Sequence, residues 1–131
     1  MNPFERIEVG MTGTHTTVVT DELTVGHFVP GMPAVYGTPL MIMLMEMAAG
    51  NAIWPALPPG WVSVGVDVNI RHLAATPVGR TVIATASVTA VGDKLVTFRV
   101  QAHDGVYKIG EGTHTRAPVE LERFRRRLAA G

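Results

Sequence analysis

Residues Thr38–Trp54 read TPLMIMLMEMAAGNAIW. Leucine, methionine and alanine dominate, and all are strong helix formers. Pro39 suits the first helical turn, where its missing N–H costs nothing. Pro55, Pro58 and Pro59 stop the helix. The segment predicts one long helix, apolar on every side, which needs wrapping on nearly every side. Beyond it the period changes to two. Val62, Val64, Val66, Val68 and Ile70 alternate with Ser63, Gly65, Asp67 and Asn69, which predicts a half-buried strand over Trp61–Ile70.

Working outward, strands are predicted over Thr14–Thr20, Thr81–Val91 and Leu95–His103, with a last one from Val106 to just before Pro118. The apolar even positions fix the pairing. A three-residue loop, Gly92-Asp93-Lys94, sets Val88 opposite Phe98 and Ala86 opposite Val100, because a one-residue slip would expose the face. Asp104-Gly105 reads as a two-residue hairpin that pairs Val100 with Ile109. Residues 21–37 hold Gly26, Pro30, Gly31, Pro33 and Gly37 and read as an irregular segment of the length used for lids. The tail, ELERFRRRLAAG, predicts a short helix with Leu121, Phe124 and Leu128 on one face. Its Arg125–Arg127 run lies where positive charge favours the helix dipole. That run reads as a solvated helix end that a phosphate-rich ligand could use.

At 131 residues the chain is one domain, spanning 1–131, large enough to bury a core without staples. Hydrophobic residues make up 47% and charged residues 17%, which excludes disorder. Eleven basic and eleven acidic residues cancel, which speaks against nucleic acid as a partner. With no cysteine, thiol nucleophiles, thiolate zinc sites and iron–sulfur clusters drop out. The longest apolar stretch, Pro39–Ile53, is too short for a bilayer and contains Glu46 and Asn51, so no membrane partner is expected. The start, MNPFERIEVG, carries acidic residues and no apolar segment, so a cytoplasmic protein is expected.

Glu46 is the only charge between Val35 and Trp61. On an enclosed helix, an ionised carboxylate without partners is costly, and such groups cluster at active sites. Glu46 is therefore the leading candidate for general base or nucleophile. Thr38 lies eight residues earlier, within about 80° around the helix axis, so both can reach one groove; a plain helix cap is the alternative for Thr38. His72 continues the even row Val62–Ile70 and is expected on the face turned to the helix. His103 abuts a turn, and His114 is expected near Leu95, far along its hairpin. His15 and His27 lack ligand spacing, so no metal site is expected.

The strings GTPLMIMLMEMA, SVGVDVNIRHLAATPVG and AHDGVYKIGEGTHTRA resemble the fluoroacetyl-CoA thioesterase-like family of hot-dog proteins, from about Thr12 to Phe124. The resemblance agrees with the element order: an α+β hot-dog fold, one long central helix wrapped by a curled antiparallel sheet of about five strands, with a short C-terminal helix. It implies an acyl-CoA thioesterase with Thr38, Glu46 and His72 as the catalytic set, and the methionine-rich helix suggests a small or medium acyl group. The resemblance also implies Gly65 near the thioester carbonyl, Arg116 near the site, and Met32 where the fluoroacetyl-specific enzyme has a phenylalanine gate. No cofactor is implied beyond coenzyme A as part of the substrate. Open sheet edges favour a homodimer, with a tetramer as a further possibility. The alternatives are a hot-dog enoyl-CoA hydratase or dehydratase and a non-catalytic acyl-CoA-binding module.

Overall fold

A computed structural model describes residues 2–131. The element order is β1 (Thr12–Val18), a single helical turn α1 (Val25–Phe28), α2 (Thr38–Ile53), β2 (Trp61–His72), β3 (Thr81–Val91), β4 (Val96–His103), β5 (Lys108–Glu120) and α3 (Leu121–Ala130). Among the described residues the strands form one antiparallel sheet in the order β1-β3-β4-β5-β2. The sheet packs on α2, so the expected architecture is the one observed. Val82, Ala84, Ala86, Val96, Phe98 and Val100 are fully buried beneath the helix. No described helix is long and apolar enough to cross a membrane.

The helix is not wrapped all round. Met41, Leu44, Met45, Ala48, Ala49, Ala52 and Ile53 form its buried stripe, while Met43 and Met47 are exposed on the opposite side. Gly13 brings β1 close against this stripe. A Cβ there would collide with the backbone of Ala48 and Ala52. The uniform apolarity of the helix thus hides two faces with different neighbours.

The β3–β4 pairing is as expected, with Val88 opposite Phe98 and Ala86 opposite Val100. Near the turn it shifts: an irregularity between Val88 and Ala90 sets Val91 opposite Val96, and the Gly92 N–H donates to the Leu95 carbonyl. The β4–β5 expectation is corrected. Val100 lies opposite Gly112, not Ile109, and Ala102 lies opposite Gly110. An irregularity between Ala102 and His103 adds one position of this three-residue shift, and the other two come from the turn set by Asp104. Its carboxylate accepts the N–H groups of Val106 and Tyr107, at 2.9 and 2.7 Å, and so holds a longer turn than a two-residue hairpin. Thr76 and Arg80 also donate to this buried carboxylate, each at 3.0 Å. Burial alone would raise the Asp104 carboxyl, but the Tyr107 and Val106 N–H groups, Arg80 and Thr76 together hold it well below the usual carboxylate range.

The edge strand β2 carries a bulge. Gly65 pairs with Arg116 and Asp67 with Thr115, leaving Val66 extra. The bulge corrects the even-row reading. Before it, odd residues such as Gly65 face the helix; after it, Val68, opposite buried His114, shares the face of Ile70 and His72. Residues 21–37 are also more ordered than expected. Val25 N–H donates to the Val35 carbonyl, Gly37 N–H to Leu23, and Tyr36 N–H to Thr76.

Candidate active site

Two polar clusters lie along α2. The first surrounds Glu46. Its side chain is 37% exposed, so the enclosed and unpartnered setting expected for it is not found. Arg116 Nη1 lies 3.5 Å from Glu46 Oε2. Arg116 is itself fixed by Ser63 of the edge strand: Nε donates to Ser63 Oγ and Nη2 to the Ser63 carbonyl, both at 2.8 Å. Burial lowers the guanidinium below its ordinary value while Glu46 works the other way. It remains charged under all ordinary conditions.

Gly65 forms the wall facing the carboxylate. A Cβ on Gly65 would stand 2.5 Å from Glu46 Oε2 and 3.3 Å from His114 Cε1. The position therefore needs glycine for close approach rather than for a special backbone angle. His114, expected far along its hairpin, instead pairs with Phe98 and lies buried beneath Glu46. Its Nδ1 is 2.7 Å from the Asp67 carbonyl, which can only accept, so Nδ1 carries the proton. Nε2 then accepts from Arg116 Nη1 at 3.2 Å. Burial pushes the His114 imidazole below its ordinary value, the Asp67 carbonyl works the other way, and Arg116 adds to the lowering. The 3.9 Å approach of His114 to Glu46 is thus between a neutral ring and a carboxylate.

The second cluster is Thr38 with His72. Thr38 is the first residue of α2, Gly37 is its cap residue, and no side-chain cap bond forms. The cap reading of Thr38 is therefore set aside. Its Oγ1 lies 2.7 Å from His72 Nδ1. His72 Nε2 is buried with no partner among the described residues. Burial pushes this imidazole below its ordinary value, with the Ala74 backbone opposing. Thr38 and His72 line a cavity of about 380 Å³ with Val25, Val35, Tyr36 and Leu73. Burial raises the Tyr36 phenol to about 12, and its hydroxyl donates to the Leu40 carbonyl, so it is structural.

Within one chain, Thr38 and Glu46 stand about 12 Å apart along the axis of α2, at ~1.5 Å per residue. The structure therefore brings Thr38 to His72, and Glu46 to Gly65 and Arg116, but leaves the two groups separate. Met32 lies at the tip of the 21–37 segment, half exposed and outside the cavity lining. Ser63 and His114 were not found by sequence reasoning. The bulge at Val66 and the turn at Asp104 disguised the face of one and the register of the other. Among the described residues no cluster fit to hold a metal ion occurs.

The chain is similar in sequence and fold to known proteins. The family model described as fluoroacetyl-CoA-specific thioesterase matches residues 19–122. The fluoroacetyl-CoA thioesterase of Streptantibioticus cattleyicolor is 43% identical over 124 residues, covering 90% of this chain and 89% of that protein. A solved structure of a point mutant of the fluoroacetyl-CoA-specific thioesterase FlK, in complex with fluoroacetate and CoA, superposes with a TM-score of 0.82 at 43% identity, covering 90% of this chain and 99% of that one. A hot-dog-like protein from Thermanaerovibrio acidaminovorans superposes with a TM-score of 0.88 at 24% identity, covering 99% and 96%, which shows the hot-dog fold.

Proposed function

The chain belongs to the fluoroacetyl-CoA-specific thioesterase family and hydrolyses acyl-CoA thioesters, and from that premise we propose how its own residues divide the work. The observation that carries the reading is the Glu46 carboxylate held by Arg116 against the bare wall of Gly65. That wall leaves room for a thioester carbonyl beside the carboxylate, where a side chain would stand in the way.

Glu46 delivers the attacking oxygen, either its own or that of a water it deprotonates. The new C–O bond forms as the carbonyl oxygen takes up negative charge. A main-chain N–H at or near Gly65 steadies that charge. The C–S bond then breaks, and the coenzyme A thiolate takes a proton from protonated His72, which recovers one from the water consumed in the hydrolysis; where Glu46 itself attacks, that water splits the acyl-glutamyl anhydride to the free acid. The burial that lowers the His72 imidazole makes its protonated form a stronger acid toward a thiolate. Thr38 fixes the ring through its 2.7 Å contact. Met32 borders the acyl group, which is small or medium in size, and coenzyme A enters only as part of the substrate.

The separation of the two clusters supports a site completed by a homodimer. Edge strand β2 leaves Val66 and Val68 exposed, and α2 leaves Met43 and Met47 exposed. A two-fold pairing along this edge covers Val66 and Val68. It also carries Glu46 of one protomer toward Thr38 of the partner subunit and His72 of the partner subunit. The test is thiol release from acyl-CoA thioesters, acetyl to aromatic, with the wild type and Glu46→Gln side by side. Hydrolysis that survives Glu46→Gln undiminished would falsify the mechanism.

A further inference from the structure

Two spaces meet at Tyr36. The first is the cavity of about 380 Å³ that Thr38 and His72 share with Val25, Val35 and Leu73. The second is a cleft of about 200 Å³ between α2 and β1. Leu23, Leu40, Met43, Leu44 and Met47 give the cleft an apolar wall, and it opens to solvent past the exposed Met43 and Met47. Among the described residues, Tyr36 alone lines both spaces. It is 2% exposed and is held at both ends. Its N–H donates to the Thr76 carbonyl at 2.8 Å, and its hydroxyl to the Leu40 carbonyl at 3.2 Å. A bridge to Thr24 fixes its backbone from the other side.

Both linings suit an alkyl chain. A thioester whose thiolate is protonated by His72 has its acyl end beside the first cavity. In the second, methionine side chains adapt to chains of varied shape. To pass from one to the other, a chain must push the phenol aside. That leaves a buried hydroxyl without its acceptor, which costs more than one newly buried methylene returns.

We propose that Tyr36 is the wall that ends the acyl pocket and sets the longest chain this enzyme takes, with the cleft between α2 and β1 as the space it closes off. The assignment rests on the thioesterase reading. It adds a residue that selects the substrate while taking no part in the chemistry.

The test is thiol release from straight-chain acyl-CoA thioesters, acetyl to dodecanoyl. In the wild type, kcat/KM rises by about fourfold per methylene until the chain meets Tyr36, and then stops rising. Tyr36→Leu moves that limit outward by about two carbons or more. Met43→Trp refills the cleft, so it restores the original limit in the Tyr36→Leu background and leaves the limit of the wild type unchanged. Tyr36→Met keeps the core filled and repeats the measurement where the leucine variant fails to fold. An unmoved limit in a folded Tyr36 variant would overturn the proposal. So would a longer limit that Met43→Trp does not reverse, or a limit that Met43→Trp shortens in the wild type. A wild type that hydrolyses none of the series would sink the thioesterase reading instead, and calorimetric titration with the free acids of the same lengths would still locate the limit.

Discussion

The ring of His114 donates its Nδ1 proton to the main-chain carbonyl of Asp67 at 2.7 Å, tying the middle of β5 to the bulge of β2. Through that bond a buried histidine governs where Gly65 stands, two residues before Asp67. The same ring accepts from Arg116, so one neutral imidazole orients both the wall and the cation of the Glu46 cluster.

Removing that tie while keeping a flat aromatic ring in place tests its contribution. His114→Phe leaves the Asp67 carbonyl without its His114 donor and Arg116 Nη1 with only its 3.5 Å contacts to Glu46. The expected cost is about 1–3 kcal/mol of stability, with a fall in kcat larger than any rise in KM. Denaturant midpoints and steady-state kinetics check both. Unchanged kcat in a destabilised protein would confine His114 to packing.

The neutrality of His114 has a pH consequence. Its folded pKa lies below the ordinary 6.5, with burial as the main cause. As pH falls below about 6.5 the unfolded chain takes up a proton that the folded chain resists, so stability falls with pH until the folded value is passed. His72 acts in the same direction. Urea midpoints at pH 8, 7, 6 and 5 are expected to decline through the lower steps, and His114→Phe should flatten part of that decline.

Asp104 sets a separate acid limit. Its folded pKa is depressed, so its contribution is present above the ordinary carboxylate value of 3.8 and is lost as pH drops toward the folded value. Asp104→Asn keeps the shape and an acceptor but removes the charge facing Arg80. It should cost about 1–3 kcal/mol at pH 7 and progressively less in strong acid. Thermal melts at pH 7 and pH 3 decide this; an equal deficit at both would show the charge to be irrelevant.

Gly65→Ala tests the close approach at the carboxylate. The methyl group would meet the tip of the flexible, partly exposed Glu46 side chain and press on the buried His114 ring at 3.3 Å, so the fold should accept it with a small shift. Melting temperature is expected to stay near that of the wild type while kcat for thioester hydrolysis falls by about 10²-fold or more. A large loss of stability instead would mean that the wall is structural.

Thr38→Ser retains the hydroxyl next to His72, and Thr38→Val retains the shape alone. Serine is expected to keep most activity, and valine to lose about tenfold or more. Equal activity in the two variants would remove the 2.7 Å contact from the mechanism.

What could be read from the sequence follows from what leaves a side-chain signal. The helix and the β3–β4 register were legible because apolar residues mark both partners, as with Val88 and Phe98. The β4–β5 register was not, because β5 places Gly110 and Gly112 opposite Ala102 and Val100. Those glycines are required by contacts: a Cβ on Gly110 would run into Met41, and one on Gly112 into the Asn69 backbone. Glu46 stood out as a lone charge among methionines, and Thr38 and His72 do meet. The partners of Glu46 were hidden by backbone events. Ser63 lay on the wrong side of an alternation that the bulge reverses, and His114 was displaced by the longer Asp104 turn.

The bulge also makes β2 two strands in one for the purposes of variation. Residues 61–65 serve the carboxylate, residues 67–72 lead to the imidazole, and Val66 is the extra residue between them. One half can be retuned for a new acyl group while the other is kept, provided that the His114–Asp67 bond linking them is retained. Deleting Val66 would remove the bulge but not the facing: Gly65 would still lie opposite Arg116 and Asp67 opposite Thr115, so both halves would keep looking inward while the local kink beside Glu46 was lost.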